Sequence, residues 1–517
     1  MENKDGRISY KKCAVQREVI CEVGCDYTLP DYLGDIKRIV MTRESVSVGD
    51  AYFEGGQILG NGVITYSIIY VDSDGRLTSA EFTKDYECEV RCDVDSVSDT
   101  YLTSRIVASS LRATTPRKVV AKTTVASSIR AFCDETITIS DEFSSGELEY
   151  KDEPTFVLST ETTHLSEREY AEKVAFLEGA MADDVSIISK IARPEIKSVE
   201  VHDGIINVKG QIKVECTVMT APLAPTVETI ALNINEECPI KSKDPLSVYA
   251  IPNLSSFTVS LNPTDDGCDL LCDLILDLTV VEEENILINM PIDAYAPSKK
   301  VELEYNTVGL KSAGAVVREC FKSERRVDRT ELGLSDARDI IISDAVVRCD
   351  PVSIDGDSLK LSGEIRYCGA AVQISEGGKI SYVSFKNSVP YEHIVNNTCQ
   401  KLDNVASDFI TSVTDVSCKI DKDQIVFESI INTCGTVTST KSCKYICSVS
   451  MIPREPEDAC RRIVVYYPDK DESLYEVAKR FDTTARSVAN INSLGIDVAA
   501  APTSKGGLSG VKRLIIY

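Results

Sequence analysis

Ile206-Asn-Val-Lys-Gly210-Gln-Ile-Lys-Val-Glu-Cys216 alternates apolar and polar residues on both sides of one glycine. That period of two belongs to a half-buried β-strand, whose side chains point to opposite faces in turn. The figure occurs twice more. Ile58 and Gly60 lead into Gly62, Ile64 and Tyr66, and Leu359 and Leu361 lead into Gly363, Ile365 and Tyr367. The three glycines are 148 and 153 residues apart. A second landmark, Asp35-Ile36, Asp184-Val185 and Asp339-Ile340, keeps nearly the same period. A third, Phe82, Ile230 and Val383, follows each glycine by 20 residues. The period is far longer than the roughly 20–50 residues of a solenoid repeat. It is domain-sized, and it predicts three tandem copies over 1–150, 151–310 and 311–452.

Within each copy the alternating runs are rich in Val, Ile, Thr and Tyr, as strands prefer. Asp74-Gly75, Asp203-Gly204 and Asp355-Gly356 punctuate them as turns. The expected fold class is therefore mainly β, with antiparallel sheets. A glycine in mid-strand predicts a bulge or a close backbone approach. Leu270 to Val281, broken by Asp273 and Asp277, reads as sheet core and is too interrupted for a membrane span. Glu167 to Glu178 is the one helix candidate in the copies.

Composition narrows the function. Among 517 residues, 56 Lys and Arg face 81 Asp and Glu, a net charge of −25. A nucleic-acid partner is not expected, since phosphate binding needs a basic face. Attraction to an anionic membrane is equally unexpected. The opening Met1-Glu-Asn-Lys-Asp-Gly-Arg has no apolar signal core, so a cytoplasmic protein is expected. Nineteen cysteines include four C-x3-C pairs: Cys21/Cys25, Cys88/Cys92, Cys268/Cys272 and Cys443/Cys447. An odd number without a signal favours buried thiols over a disulfide framework or a metal site. Only three histidines occur, His164, His202 and His393, and none lies in a metal or catalytic pattern. No phosphate loop or nucleophile elbow is found. The acidic pairs Asp183-Asp184 and Asp265-Asp266 read as solvated turns. The Asp35, Asp184 and Asp339 landmark reads as a turn whose Asp caps backbone amides, with a docking surface as the alternative. No enzyme, cofactor or metal is expected.

After a Pro-rich linker (453–460) the character changes. From Cys460 onward nine Lys and Arg face six Asp and Glu, a net of +3, leaving −28 for the preceding body. Ile463 to Tyr467 reads as a strand. Ser473 and Glu476 form a capping box, and Leu474, Val477, Ala478 and Phe481 form one helical stripe. Thr484 caps a second helix with Val488 and Ile491 inward, and Val511 to Tyr517 is a closing strand. The expected order over 461–517 is strand, helix, helix, strand.

That order resembles a LysM module. Tyr467-Pro-Asp-Lys-Asp-Glu-Ser-Leu-Tyr-Glu-Val-Ala-Lys-Arg-Phe481 is similar to the family's first strand end, turn and first helix. Ala489-Asn-Ile-Asn492 is similar to the end of its second helix and Gly510-Val-Lys-Arg-Leu-Ile-Ile516 to its closing strand. At the front, Leu29-Pro-Asp-Tyr-Leu-Gly-Asp-Ile-Lys-Arg-Ile39 resembles the signature of the SPOCS domain. Degenerate SPOCS-like copies followed by one LysM resemble the SipL-like family of clostridial spore coat morphogenesis proteins. The resemblance implies a non-enzymatic scaffold of coat assembly in the mother-cell cytoplasm at the forespore surface. Its LysM-like module would dock on the coat-basement ATPase and its body on other coat proteins. Asp471, Glu472, Ser473, Leu474, Tyr475, Asn492 and Leu494 are the expected partner-binding residues, Leu474 being also a candidate for the helix core. Binding of peptidoglycan through N-acetylglucosamine is the alternative. Asp471 and Glu472 stand where the family usually carries Gly and Asp, in the loop that forms the sugar groove.

Overall fold

A computed structural model of the chain describes residues 7–140, 143, 146–220, 225–297, 299–350, 352–355, 358–374, 380–396, 405–453, 463–495, 503, 504, 508 and 510–517. It is mainly β, with 79% strand and 4% helix.

The strands fall into three sets of the same topology. The first set is β1 (Arg7–Thr28), β2 (Ile36–Glu54), β3 (Gln57–Asp72), β4 (Leu77–Arg91), β5 (Asp99–Thr115) and β6 (Lys118–Thr138). The second is β7 (Glu149–Glu178), β8 (Val185–His202), β9 (Ile205–Thr220), β10 (Thr226–Pro239), β11 (Ser247–Thr264) and β12 (Gly267–Tyr295). The third is β13 (Lys299–Asp328), β14 (Ala337–Cys349) with β15 (Ser353–Asp355), β16 (Ser358–Ile374), β17 (Ile380–Val395), β18 (Val405–Asp421) and β19 (Gln424–Pro453). In each unit the first strand pairs with the last and the last with the fifth: β1-β6-β5, β7-β12-β11 and β13-β19-β18. The middle strands form a second meander, β2-β3-β4, β8-β9-β10, and β14 and β15 with β16 and β17. All pairings are antiparallel. The third unit opens at Lys299, so a division at 310 falls inside β13.

The two sheets of a unit pack face to face on their apolar sides. In the first unit Val23, Tyr66, Phe82, Val119 and Val125 share one core. Val214, Ile234, Cys272 and Leu276 do so in the second, and Tyr367, Phe385, Val416 and Phe427 in the third. The repeat glycines lie where the chains come closest. A Cβ on Gly62 would sit 2.4 Å from the Ser47 carbonyl, on Gly210 2.2 Å from that of Glu195, and on Gly363 2.0 Å from that of Arg348. Close approach is therefore the reason for all three.

The Asp landmarks stand at the start of the second strand of each unit, Asp35 and Asp184 just before it and Asp339 as its third residue, and not with one shared bond. Arg117 pins the Leu29-to-Asp35 turn, donating to the carbonyls of Leu29, Pro30 and Leu33 and to Asp35 at 2.8 Å. Asp339 accepts from the Ile340 amide at 2.8 Å, and Asp184 closes a short 3-10 turn, 182–184. The helix expected at Glu167 to Glu178 is instead the end of β7, paired along β12 from Gly267 to Leu276. Most of its residues are good helix formers, but the long pairing with β12 overrides that local preference. Glu167 sits at the bulge with φ +56°, its amide donating to Asp277 at 2.8 Å.

The units meet through equivalent positions. Val40, Ile188 and Ile341, again 148 and 153 apart, join one buried cluster. Tyr101 and Tyr249, each the third residue of its strand, join another, and Ile410 of unit three packs against it. Ile137, Ile288 and Cys443 belong to a third. This is the packing expected of approximate three-fold symmetry. Between the clusters lies a buried ionic link. Asp344 of unit three accepts from Arg43 of unit one at 2.5 Å and from Arg193 of unit two at 2.8 Å. Arg193 also reaches Glu215 at 3.1 Å. Burial opposes ionisation of Asp344, but the two guanidiniums outweigh it and hold the carboxyl below its ordinary range.

Seventeen described cysteines are unpaired thiols, most of them buried or half-buried, with Cys320 and Cys349 exposed. His164 bonds Asp99 and Thr279, and His393 stacks on Phe321 beside Glu319. No cluster that could hold a metal occurs among the described residues, and no described helix is long and apolar enough to cross a membrane. The expected linker at 453–460 lies outside the described residues apart from Pro453, the last residue of β19.

Candidate functional site

Beyond the body come β20 (Val464–Tyr466), α1 (Leu474–Arg480), α2 (Ala485–Ile491) and β21 (Leu514–Ile516). Both helices start as their sequence demands. Ser473 Oγ accepts from the Glu476 amide at 3.2 Å while the Glu476 carboxylate accepts from the Ser473 amide at 3.0 Å. Thr484 caps α2 through the Ser487 amide at 3.1 Å. Leu474, Tyr475, Val477, Ala478, Val488, Leu514 and Ile516 form the shared core. Ile491, expected inward, is instead exposed, because Val488 and Ala489 already fill the α2 side of that core.

The module rests on the end of the second unit. Tyr295 packs edge-on against Tyr475, ring centroids 5.3 Å apart, and its hydroxyl donates to the Thr483 carbonyl at 2.9 Å. Lys479 pairs with Asp293 at 2.6 Å, and Lys151 with Glu476 at 3.4 Å. Burial, with Asp293 and Tyr295 alongside, pushes the Tyr475 phenol well above its usual range.

The expected partner-binding residues divide accordingly. Asp471 is exposed on the turn before α1. Glu472 is buried and accepts from the Tyr466 hydroxyl at 2.8 Å and from Arg480 at 2.8 Å. Ser473, Leu474 and Tyr475 are buried, as the cap, the core and the contact with the body. Asn492 ties α2 to β21, donating to the Val488 and Ile515 carbonyls at 2.8 and 2.7 Å and accepting from the Ile515 amide at 2.6 Å. Leu494 packs against the core. Of the seven, six hold the module together or onto the body, and Asp471 faces solvent.

The open surface lies on the opposite side. Val465 and Ile515 face each other across the β20–β21 ladder. Ile463, Tyr467 and Tyr517 continue the same alternation outward, 65%, 70% and 65% exposed. A sheet that packs one face on helices normally turns polar residues to the other. Here both faces are apolar. The signal was present in Ile463-Val-Val-Tyr-Tyr467 and Leu514-Ile-Ile-Tyr517, runs that do not alternate and so predict a strand covered on both sides.

No family model matches the chain, and no curated protein matches it.

Proposed function

We propose that this chain is a non-enzymatic adaptor of endospore coat assembly, acting in the mother cell at the forespore surface. On this reading the three repeated β units are SPOCS-like repeats that form the scaffold. The C-terminal strand-helix-helix-strand module is LysM-like and takes the coat-basement ATPase as its protein partner. One observation supports it above the others: the module's outer sheet face carries Ile463, Val465, Tyr467, Ile515 and Tyr517 in the open, while its helical side is held by the body. A contiguous exposed apolar face marks an interaction surface, and aromatic anchors are where interface energy concentrates. Recognition thereby moves from the α1 turn to the sheet.

The test is binding of the full chain to the purified ATPase and, in parallel, to insoluble peptidoglycan. Tyr467→Ser with Tyr517→Ser is expected to weaken the ATPase complex by about tenfold or more, with melting unchanged because both side chains are exposed and lie outside the paired residues of the ladder. Charge reversal at Asp471 is expected to have a smaller effect. Binding to peptidoglycan alone would replace this reading with a glycan-binding one.

A further inference from the structure

The repeated packing of the units leaves a cavity at each junction, and the three differ in chemistry. The cavity between units one and two measures about 560 Å³ and that between two and three about 340 Å³. The cavity between units three and one measures about 540 Å³. Each is walled by the second and fifth strands of one unit and by strands of its neighbour, so equivalent positions can be compared directly.

The cavity between units three and one gathers three arginines, where each of the others has one. Arg105 and Arg130 of unit one and Arg348 of unit three line it. Arg130 stands opposite Tyr101, where unit two places Val281 opposite Tyr249; unit three has Thr436, seven residues before Cys443 as Arg130 is before Ile137. Arg348 immediately precedes the residue opposite the repeat glycine, where the other units have Glu195 and Ser47. Arg105 matches Asn253 of unit two, each four residues beyond its tyrosine. A scaffold role is met equally well by the residues the other units place there, none of which is basic. Three arginines meet at this junction, against Arg43 alone in the first cavity and Arg318 alone in the second, in a chain of net charge −25.

Tyr101, which also lines the cavity between units one and two, is 4% exposed. Arg130 is 8% exposed, and its guanidinium lies 5.2 Å from the Tyr101 ring centroid. Glu283 shares the charge of Arg130 but does not line the cavity. Two carboxylates, Glu18 and Asp350, do line it, and Glu18 pairs with Arg105 at 2.8 Å. The wall still carries a net positive charge.

We propose that this junction binds a small phosphate-bearing molecule. Guanidinium forks match phosphate oxygens in pairs, and Ser128, Ser362 and Thr411 add hydroxyl donors around them. The volume falls within the roughly 300–1,000 Å³ of small-molecule sites, more than a bare phosphate fills, so an organic part is accommodated. Because the ligand touches units one and three, it bridges the first and last copies of the repeat.

The experiment is calorimetric titration of the full chain at low salt with inorganic pyrophosphate, and separately with citrate. Pyrophosphate is expected to bind saturably at one site per chain. Arg348→Ala is expected to weaken it about tenfold, and Arg105→Ala with Arg348→Ala to abolish it. Both side chains are exposed, and unchanged melting of the unliganded variants would confirm that they fold. Lys197→Ala, in the cavity between units two and three, is expected to change nothing. Absence of saturable binding at millimolar pyrophosphate, binding that survives the double substitution, or binding of citrate alone would overturn the assignment.

Discussion

Gly210 lies against a backbone carbonyl, and backbone cannot swing aside as a side-chain tip can. A Cβ there, 2.2 Å from the Glu195 oxygen, would have to push β8 away from β9. Gly210→Ala is expected to destabilise by about 1–3 kcal/mol, the usual cost of overpacking. Gly24→Ala, with nothing within 4 Å of its Cβ position, is the control and is expected to be near neutral; urea midpoints compare the two. The mid-strand glycine was legible in the sequence as a bulge or a close approach, and the structure has a close approach at all three, with a register shift on the partner strand beside Gly62 and Gly210. Which carbonyl it meets was not legible, since that depends on register. Two buried carboxyls at the unit junctions give opposite pH signatures. Asp344 has a folded pKa below its unfolded value. Its contribution is therefore complete above the ordinary Asp value of about 3.9 and lost as pH falls through the folded value. Asp344→Asn leaves Arg43 and Arg193 without their shared anion and is expected to cost about 3–5 kcal/mol at neutral pH. Burial raises the Glu283 pKa, with Thr436 and Arg130 only partly offsetting it. Its contribution is present below the unfolded value and fades as pH rises through the folded one. Glu283→Gln is thus expected to flatten the loss of stability on raising the pH, whereas Asp344→Asn flattens the loss on acidification. Denaturant curves across pH separate the two slopes.

At the scale of elements, alternation found the strands but not their partners. Tyr10 pairs with Glu135 and Lys300 with Ile452, contacts so distant in sequence that an alternating pattern is satisfied equally by a neighbouring hairpin. The first-with-last pairing is therefore visible only in three dimensions. Helix ends were more legible, because capping is local chemistry. Ser473 and Glu476 form the reciprocal pair that their spacing predicts, and the Glu476 carboxyl is held below its ordinary range first by the Ser473 amide. Ser473→Ala is expected to cost about 1 kcal/mol, seen as faster amide exchange in α1 with the body's exchange unchanged. Glu167 to Glu178 shows the reverse case. There the local residues favour a helix, and pairing with β12 overrides them.

For the whole molecule, the question is what fixes the module relative to the three units. Two kinds of contact compete. The Lys479–Asp293 and Lys151–Glu476 pairs are partly exposed, and such pairs contribute about 0–1 kcal/mol and weaken with salt. The Tyr295–Tyr475 contact is buried on both sides, and an edge-to-face aromatic pair adds about 0.5–1.5 kcal/mol beyond the area it buries. Tyr295 also donates to the Thr483 carbonyl, at the turn between α1 and α2. The aromatic contact should therefore dominate. Tyr295→Ala is expected to increase hydrogen exchange throughout 474–480 at any ionic strength. Asp293→Asn is expected to produce a smaller increase, one that wild-type protein reproduces in high salt. The opposite ranking would mean that charge attraction between the basic module and the acidic body holds them together, and that the orientation of the outer sheet face changes with ionic strength.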